Sequence, residues 1–227
     1  MADPDAYVAL ITSLPRHEEL FVAKQPPLSR LRLEMRLKAL SAEDAATLAT
    51  LEHCLSWPAY GLETTEVEAF ARGRAALDAV PQPELRSILR DRLQMRSLIA
   101  ALRRRKAGGG PPPAQWGFGG IARRIAANWQ EPAFGLERPY PWLGEAAGLL
   151  ERGDALGFER LVLTESRAIT RRRAEGHYFD FIAVAAYVLI WNIHDRWARA
   201  NAAAAARRFH AVADAALGAR TDIFAER

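Results

Sequence analysis

The sequence has 227 residues, of which 50% are hydrophobic and 26% are charged, a composition typical of a globular protein that buries its own core. Its single cysteine, Cys54, excludes an intramolecular disulfide and any zinc site built from several cysteines, and it fits a reducing compartment. The 31 lysines and arginines exceed the 27 acidic residues by too little to identify a nucleic-acid binder by charge alone.

The sequence also lacks the features of a membrane protein. Its first residues are acidic, without the basic start and apolar core of a signal peptide. The longest apolar run, Phe181–Trp191, has 11 residues, whereas a spanning helix needs roughly 20. We therefore expect a cytoplasmic protein that is not integral to a membrane.

The N-terminal segment Tyr7–Leu14 is short, apolar and partly β-branched, and it stops at Pro15. It is predicted to be a strand or an extended lead-in, and periodicity does not separate the two. Gln25–Pro27 then closes the segment with a stiff, extended stretch.

Helical signals dominate the rest of the first half. Ser41 followed by Asp44 is a capping pattern that predicts the start of one helix, and Thr65 followed by Glu68 predicts the start of another. The best-supported helix runs over Pro83–Lys106 and has apolar residues at a period of about 3.6. The members of this stripe are Leu85, Ile88, Leu89, Met95, Leu98, Ile99 and Leu102.

Residues 108–120 (GGGPPPAQWGFGG) form the one low-complexity stretch and are predicted to link two helical halves, residues 1–107 and 121–227, unless these form one continuous domain. The helices expected in the second half are Ile121–Trp129, Asp154–Glu175 and a very long one from Tyr178 to Leu217. The sequence therefore predicts an all-α, multi-helix bundle with a short extended or β segment at its N-terminus.

Candidate catalytic residues are few. His194 beside Asp195 suggests an oriented acid/base histidine, but adjacent helical residues point in different directions, so a packed or surface histidine is favoured. None of the five histidines pairs with another at i+3 or i+4, as a helical metal site requires. Gly117–Gly120 precedes a helix and would suit a phosphate, but it lacks the P-loop ending, and an aromatic-anchored linker is favoured. We expect no catalysis, metal or cofactor.

Two basic clusters end the long predicted helices. They consist of Arg103, Arg104, Arg105 and Lys106, and of Arg171, Arg172 and Arg173. One interpretation is that exposed side chains complement the negative ends of the helix dipoles. The other is that the clusters dock onto acidic surfaces of partner proteins or, with less support, onto RNA phosphates. The sequence has no RNP-like aromatic strand, zinc module or KH-type loop, so no specific nucleic acid is expected.

Several features follow one another between Tyr7 and Trp57. They are an aromatic start, a short apolar run, Ser-Leu-Pro, a Pro-Pro pair and a leucine-rich helix, and the region includes Leu40–Asp44. This arrangement resembles an uncharacterised bacterial family encoded in V-type (archaeal/vacuolar-like) ATPase operons, which looks like a stand-in for the C subunit of those enzymes. Arg96–Arg105 and Phe179–Trp197 are compatible with helices in relatives of that subunit. The proline-rich insertion after Lys106 and the alanine-rich tail match no such pattern.

The resemblance implies a non-catalytic, all-helical protein that couples the central rotor stalk to the membrane rotor ring for ion transport. Its partners would be the stalk subunits and the ring, and the protein would be peripheral on the inner membrane through that complex. The two basic clusters would contact acidic loops of the ring or shaft. One alternative, from the arginines alone, is a basic helical RNA-binding or regulatory adaptor. Another is an enzyme on an unfamiliar helical scaffold, with His194 and Asp195 as its candidates.

Overall fold

The computed structural model describes residues 4–56, 66–113, 116–118 and 120–200. Within these ranges the regular secondary structure is entirely helical, which confirms the predicted all-α, multi-helix bundle. The helices are α1 (Pro4–Ser13), α2 (Arg30–Leu37), α3 (Ala42–Leu55), α4 (Glu66–Ala79), α5 (Pro83–Lys106), α6 (Ala122–Ala127), α7 (Trp142–Glu151), α8 (Ala155–Arg173) and α9 (residues 181–200). No helix in the described ranges is long and apolar enough to cross a membrane.

The prediction of an extended or β segment at Tyr7–Leu14 was wrong, because helix α1 occupies it. The apolar positions of this segment recur three, four and seven residues after the first, which places them on one face of a helix. They are Tyr7, Leu10, Ile11 and Leu14, and they pack into the core. The Tyr7 hydroxyl also donates a hydrogen bond to the carboxylate of Asp44 on α3. Tertiary packing therefore overrides the β-branched composition of the segment.

Local capping chemistry defines several helix ends, and the cap at Ser41 is the predicted one. The Ser41 hydroxyl accepts from the backbone N–H of Asp44 at 3.1 Å and begins α3. Asp154 accepts from the backbone N–H of Gly157 at 2.8 Å and begins α8. The predicted start at Thr65 lies outside the described residues. At the end of α5, Gly108 adopts a left-handed φ of 77°, a conformation that costs glycine little and lets the chain leave the helix.

Helix α5 is the central element, since its two ends contribute to different hydrophobic cores. The first core joins α5 through Leu85, Ile88, Leu89 and Leu93 to α1, α3 and α9. The second core joins it through Met95, Leu98, Ile99 and Leu102 to α6, α7 and α8. Each core thus combines residues from both sides of the 108–120 stretch. In the described residues that stretch does not separate two independent cores.

The second half differs from the sequence prediction in two places. A helix, α7, lies at Trp142–Glu151, where no helix was predicted, and its Trp142 and Leu143 are buried. The helix expected from Tyr178 begins at residue 181 instead, because Asp180 caps it by accepting from the backbone N–H of Ala183 at 2.9 Å. Its expected continuation to Leu217 lies outside the described residues.

Candidate functional site

The first basic cluster, Arg103–Lys106, lies at the C-terminal end of α5 and is largely engaged with the chain's own backbone. The Arg104 Nε donates to the carbonyl of Gly110 at 2.8 Å, so it holds the turn that follows the helix. The Lys106 ammonium donates to the carbonyl of Leu150 at the end of α7. Some of the N–H donors of this cluster therefore already bond to carbonyls of the same chain.

Arg105 is the most engaged member of that cluster. Its guanidinium lies over the buried ring of Phe134, 4.5 Å from the ring centroid. The carbonyls that accept its hydrogen bonds belong to Trp129, Glu131 and Pro132. Burial lowers the pKa of this guanidinium. Arg105 thus holds the loop after α6 in place. Its position within a run of basic residues did not reveal this role.

The second basic cluster, Arg171–Arg173, lies at the C-terminal end of α8 and is exposed along its whole length. Arg173 forms an ion pair with Asp91 on α5, with 2.8 Å between its Nε and the carboxylate Oδ2. Arg171 and Arg172 extend this basic surface into solvent. The second cluster therefore offers more accessible positive charge than the first.

The two clusters lie at opposite ends of an antiparallel helix pair. Near the start of α8, Phe158 lies 5.5 Å below the Arg103 guanidinium at the end of α5. At the end of α8, Arg173 pairs with Asp91 in the first half of α5. Asp91 and Arg103 are separated by about 18 Å along the helix axis at 1.5 Å per residue. The two sets of positive charge are thus held apart by the packed α5–α8 pair.

The side chains of His194 and Asp195 do not form the suggested acid/base pair. His194 is only 2% exposed, neither of its ring nitrogens has a hydrogen-bond partner, and it stacks on His17 with 5.0 Å between ring centroids. Asp195 instead pairs with Arg199, at 2.6 Å. Burial first, and then the charge of Arg167, lower the pKa of His194. Adjacent positions on α9 point these two side chains into different surroundings, as helical geometry requires.

The glycine-rich stretch before α6 is held at Phe118 by an aromatic anchor. The backbone N–H of Phe118 is bonded to the buried Ser97 hydroxyl at 3.1 Å. The ring of Phe118 and that of Trp116 both pack edge-on against Phe70. The backbone N–H of Phe118 is therefore already used, and α6 itself has only six residues. No group of metal-ligating side chains occurs in the part of the chain that the structure describes.

A charged cleft that the sequence analysis missed lies between α2, α3, α5, α8 and α9, with a volume of about 830 Å³. We call it the arginine cleft. The charged residues that line it are Arg30, Glu52, Arg92, Asp195, Arg196 and Arg199. One signal for it exists in the sequence: Arg92 occupies a position on the apolar stripe of α5, four residues after Ile88 and three before Met95.

Most charges of the arginine cleft are paired. Glu52 accepts from Arg30 at 2.6 Å and from the amide of Asn192 at 2.7 Å. Arg196 makes a two-pronged contact with Glu159, with both hydrogen bonds at 2.8 Å. Arg92 differs, because it is 7% exposed and its Nε and Nη1 atoms have no hydrogen-bond partner.

Comparisons with family models, with curated proteins and with solved structures found no match.

Proposed function

We propose that the protein is a non-catalytic coupling component of a bacterial V-type ATPase that joins the central rotor stalk to the membrane rotor ring. The observation that supports this proposal is the placement of the two basic clusters at opposite ends of the α5–α8 pair. A coupling component needs two separate contact surfaces and a stiff body between them. The chain has both.

The stiffness has a physical basis. Helix α5 runs without interruption for 24 residues, about 36 Å at 1.5 Å per residue. It is packed along its length because its two ends anchor the first and second cores. Close packing makes a protein interior resist deformation, so a displacement applied at one end is transmitted to the other. Torque transfer would use this property.

The second cluster is the better candidate for a partner contact. Its arginines are exposed, whereas several donors of the first cluster bond to backbone carbonyls. Arginine suits acidic protein surfaces because its planar fork pairs with carboxylates. Rim charges of this kind steer association and make it sensitive to salt. We therefore expect the complex to weaken as ionic strength rises.

The test is purification of the tagged full-length protein at native expression, followed by mass spectrometry. Stoichiometric recovery of stalk and ring proteins supports the coupling proposal. Recovery of RNA with a steep salt dependence, and no ATPase components, would instead favour the basic RNA-binding adaptor. Full coupling of ATP hydrolysis to ion transport in cells that lack the protein would refute the proposal.

A charge-reversal pair separates docking from folding. Arg171→Glu with Arg172→Glu should weaken recovery of one partner about tenfold, equivalent to about 1.4 kcal/mol, while the melting temperature stays within about 2 °C because both side chains are exposed. Arg32→Glu with Arg74→Glu changes the net charge equally at exposed sites outside the clusters. Equal loss in both pairs would show that overall charge, and not the second cluster, determines association.

A further inference from the structure

Arg92 is the most unusual charge in the described part of the chain. It lies near the middle of α5 in the hydrophobic stripe, and the charges that act on its pKa are those of Arg96 and Arg196. Burial and these like charges lower the pKa of Arg92 to about 9. The guanidinium thus lies in surroundings that disfavour its charged form.

The carboxylates of the cleft do not compensate this charge. Glu52 is held by Arg30 and Asn192, and Asp195 is held by Arg199. Of the four arginines that line the cleft, Arg30, Arg196 and Arg199 each pair with a carboxylate, and Arg92 does not. A guanidinium carries five N–H donors, and two of the three nitrogens of Arg92 are without an acceptor.

Burial of the Arg92 charge without acceptors costs folding free energy unless a ligand supplies the missing partners. A buried charge that has neither a counter-ion nor hydrogen bonds destabilises a protein strongly, and buried polar groups are nearly always satisfied. An apolar side chain of similar size would fill the same position on α5 without this cost. An anion that enters from the cleft would remove this cost.

We propose that the arginine cleft binds a small organic oxyanion, bearing a carboxylate or phosphate group, with Arg92 as the residue whose charge the anion neutralises. The volume of about 830 Å³ lies within the range of small-molecule sites and far exceeds that of a single water or halide ion. Carboxylates and phosphates match the planar donor fork of arginine. Arg199 lies at the exposed edge with 74% of its side chain accessible, where an entering anion would first meet it.

Neutral groups in the cleft would orient the anion. The side chain of Ser166 on α8, only 2% exposed, supplies a hydroxyl that both donates and accepts. Asn192 on α9 supplies an amide next to Glu52. A few polar groups among apolar walls, here Leu163 and Leu189, are the usual composition of a ligand pocket. This site is independent of the proposed partner contacts, because the second basic cluster does not line it.

The experiment is a titration of the full-length protein with inorganic phosphate and, separately, with citrate, in sodium salts balanced with sodium chloride to constant ionic strength. Binding is followed by isothermal calorimetry and by the melting temperature. An anion at 100 times its Kd should raise the melting temperature by about 5–10 °C. Phosphate-only binding would assign a phosphate ligand, and citrate-only binding would assign a carboxylate ligand.

Three variants make the outcome decisive. Arg92→Met should abolish the anion-dependent rise, and the anion-free variant should melt at the same or a higher temperature, because it buries no charge. Arg199→Met removes an exposed cation and the ion-pair partner of Asp195, which also lines the cleft, and it should raise Kd about tenfold. Arg32→Met, at an exposed site on α2 outside the cleft, should bind like the wild type. No heat and no rise with either anion, or an equal rise in Arg92→Met, overturns the proposal.

Discussion

The stacked pair His17 and His194 should make the stability of the fold depend on pH. His17 donates from Nε2 to the carbonyl of Tyr187 at 3.2 Å, and its Nδ1 is buried without a partner. Burial, followed by His194 and Arg167, lowers the pKa of His17 to about 4 from an ordinary value of 6.5. The folded protein therefore holds this ring neutral at pH values where the unfolded chain protonates it.

The sign and size of the effect follow from proton linkage. Between pH 6.5 and pH 4 the unfolded state binds more protons than the folded state, so the free energy of unfolding falls as the pH falls. The contribution of His17 is fully present above pH 6.5 and is lost on acidification towards pH 4. At pH 5 the loss is about 2 kcal/mol, from 1.36 kcal/mol per pH unit. The melting temperature should drop by about 4–8 °C from this ring alone.

The assay is urea denaturation at pH 7 and pH 5 for the wild type and for His17→Gln, whose amide keeps a donor for the Tyr187 carbonyl. We expect the wild type to lose about 2 kcal/mol more than the variant between the two pH values. His53→Gln, at an exposed site on α3, is the matched control and should lose as much as the wild type. An equal loss in the wild type and in His17→Gln would refute the reasoning, since carboxylate protonation would then account for all of it.

Three further substitutions test how the fold is held together, each by the free energy of unfolding in urea. Trp191→Phe removes the indole donor that bonds to the carbonyl of Leu28 at 2.9 Å in the core, and it should cost about 2 kcal/mol; a change below about 0.5 kcal/mol would contradict the importance of this bond. Ser41→Ala removes the cap that accepts from Asp44 and should cost about 1 kcal/mol, most of which Ser41→Asn should restore. Arg105→Ala frees three backbone carbonyls and should cost roughly 1–2 kcal/mol; unchanged stability would contradict the role of Arg105 in holding the loop.

Much of the helical architecture follows from local signals. Helix α5 was predicted over its full observed range because its apolar period, its starting proline and the following glycines all agree. The caps at Ser41 and Asp154 likewise depend on atoms within three residues of one another. The N-terminal segment was not predicted to be helical because short β-branched apolar runs suit a strand or a helix equally, and only contacts with α3 and the first core favour the helix.

The sites depend on contacts between residues far apart in the chain. The sequence contains both basic clusters, but only the antiparallel packing of α5 and α8 sets them at opposite ends and shows that Arg105 holds a loop. The neighbouring positions of His194 and Asp195 suggested one site, whereas the bundle buries the first and pairs the second with Arg199. By itself the sequence determined most of the helical segments, with α1 and α7 as exceptions, since capping and periodicity act locally. Only the tertiary structure decided that Arg92 is buried beside a cleft without a counter-ion, because burial and pairing depend on elements up to about a hundred residues away.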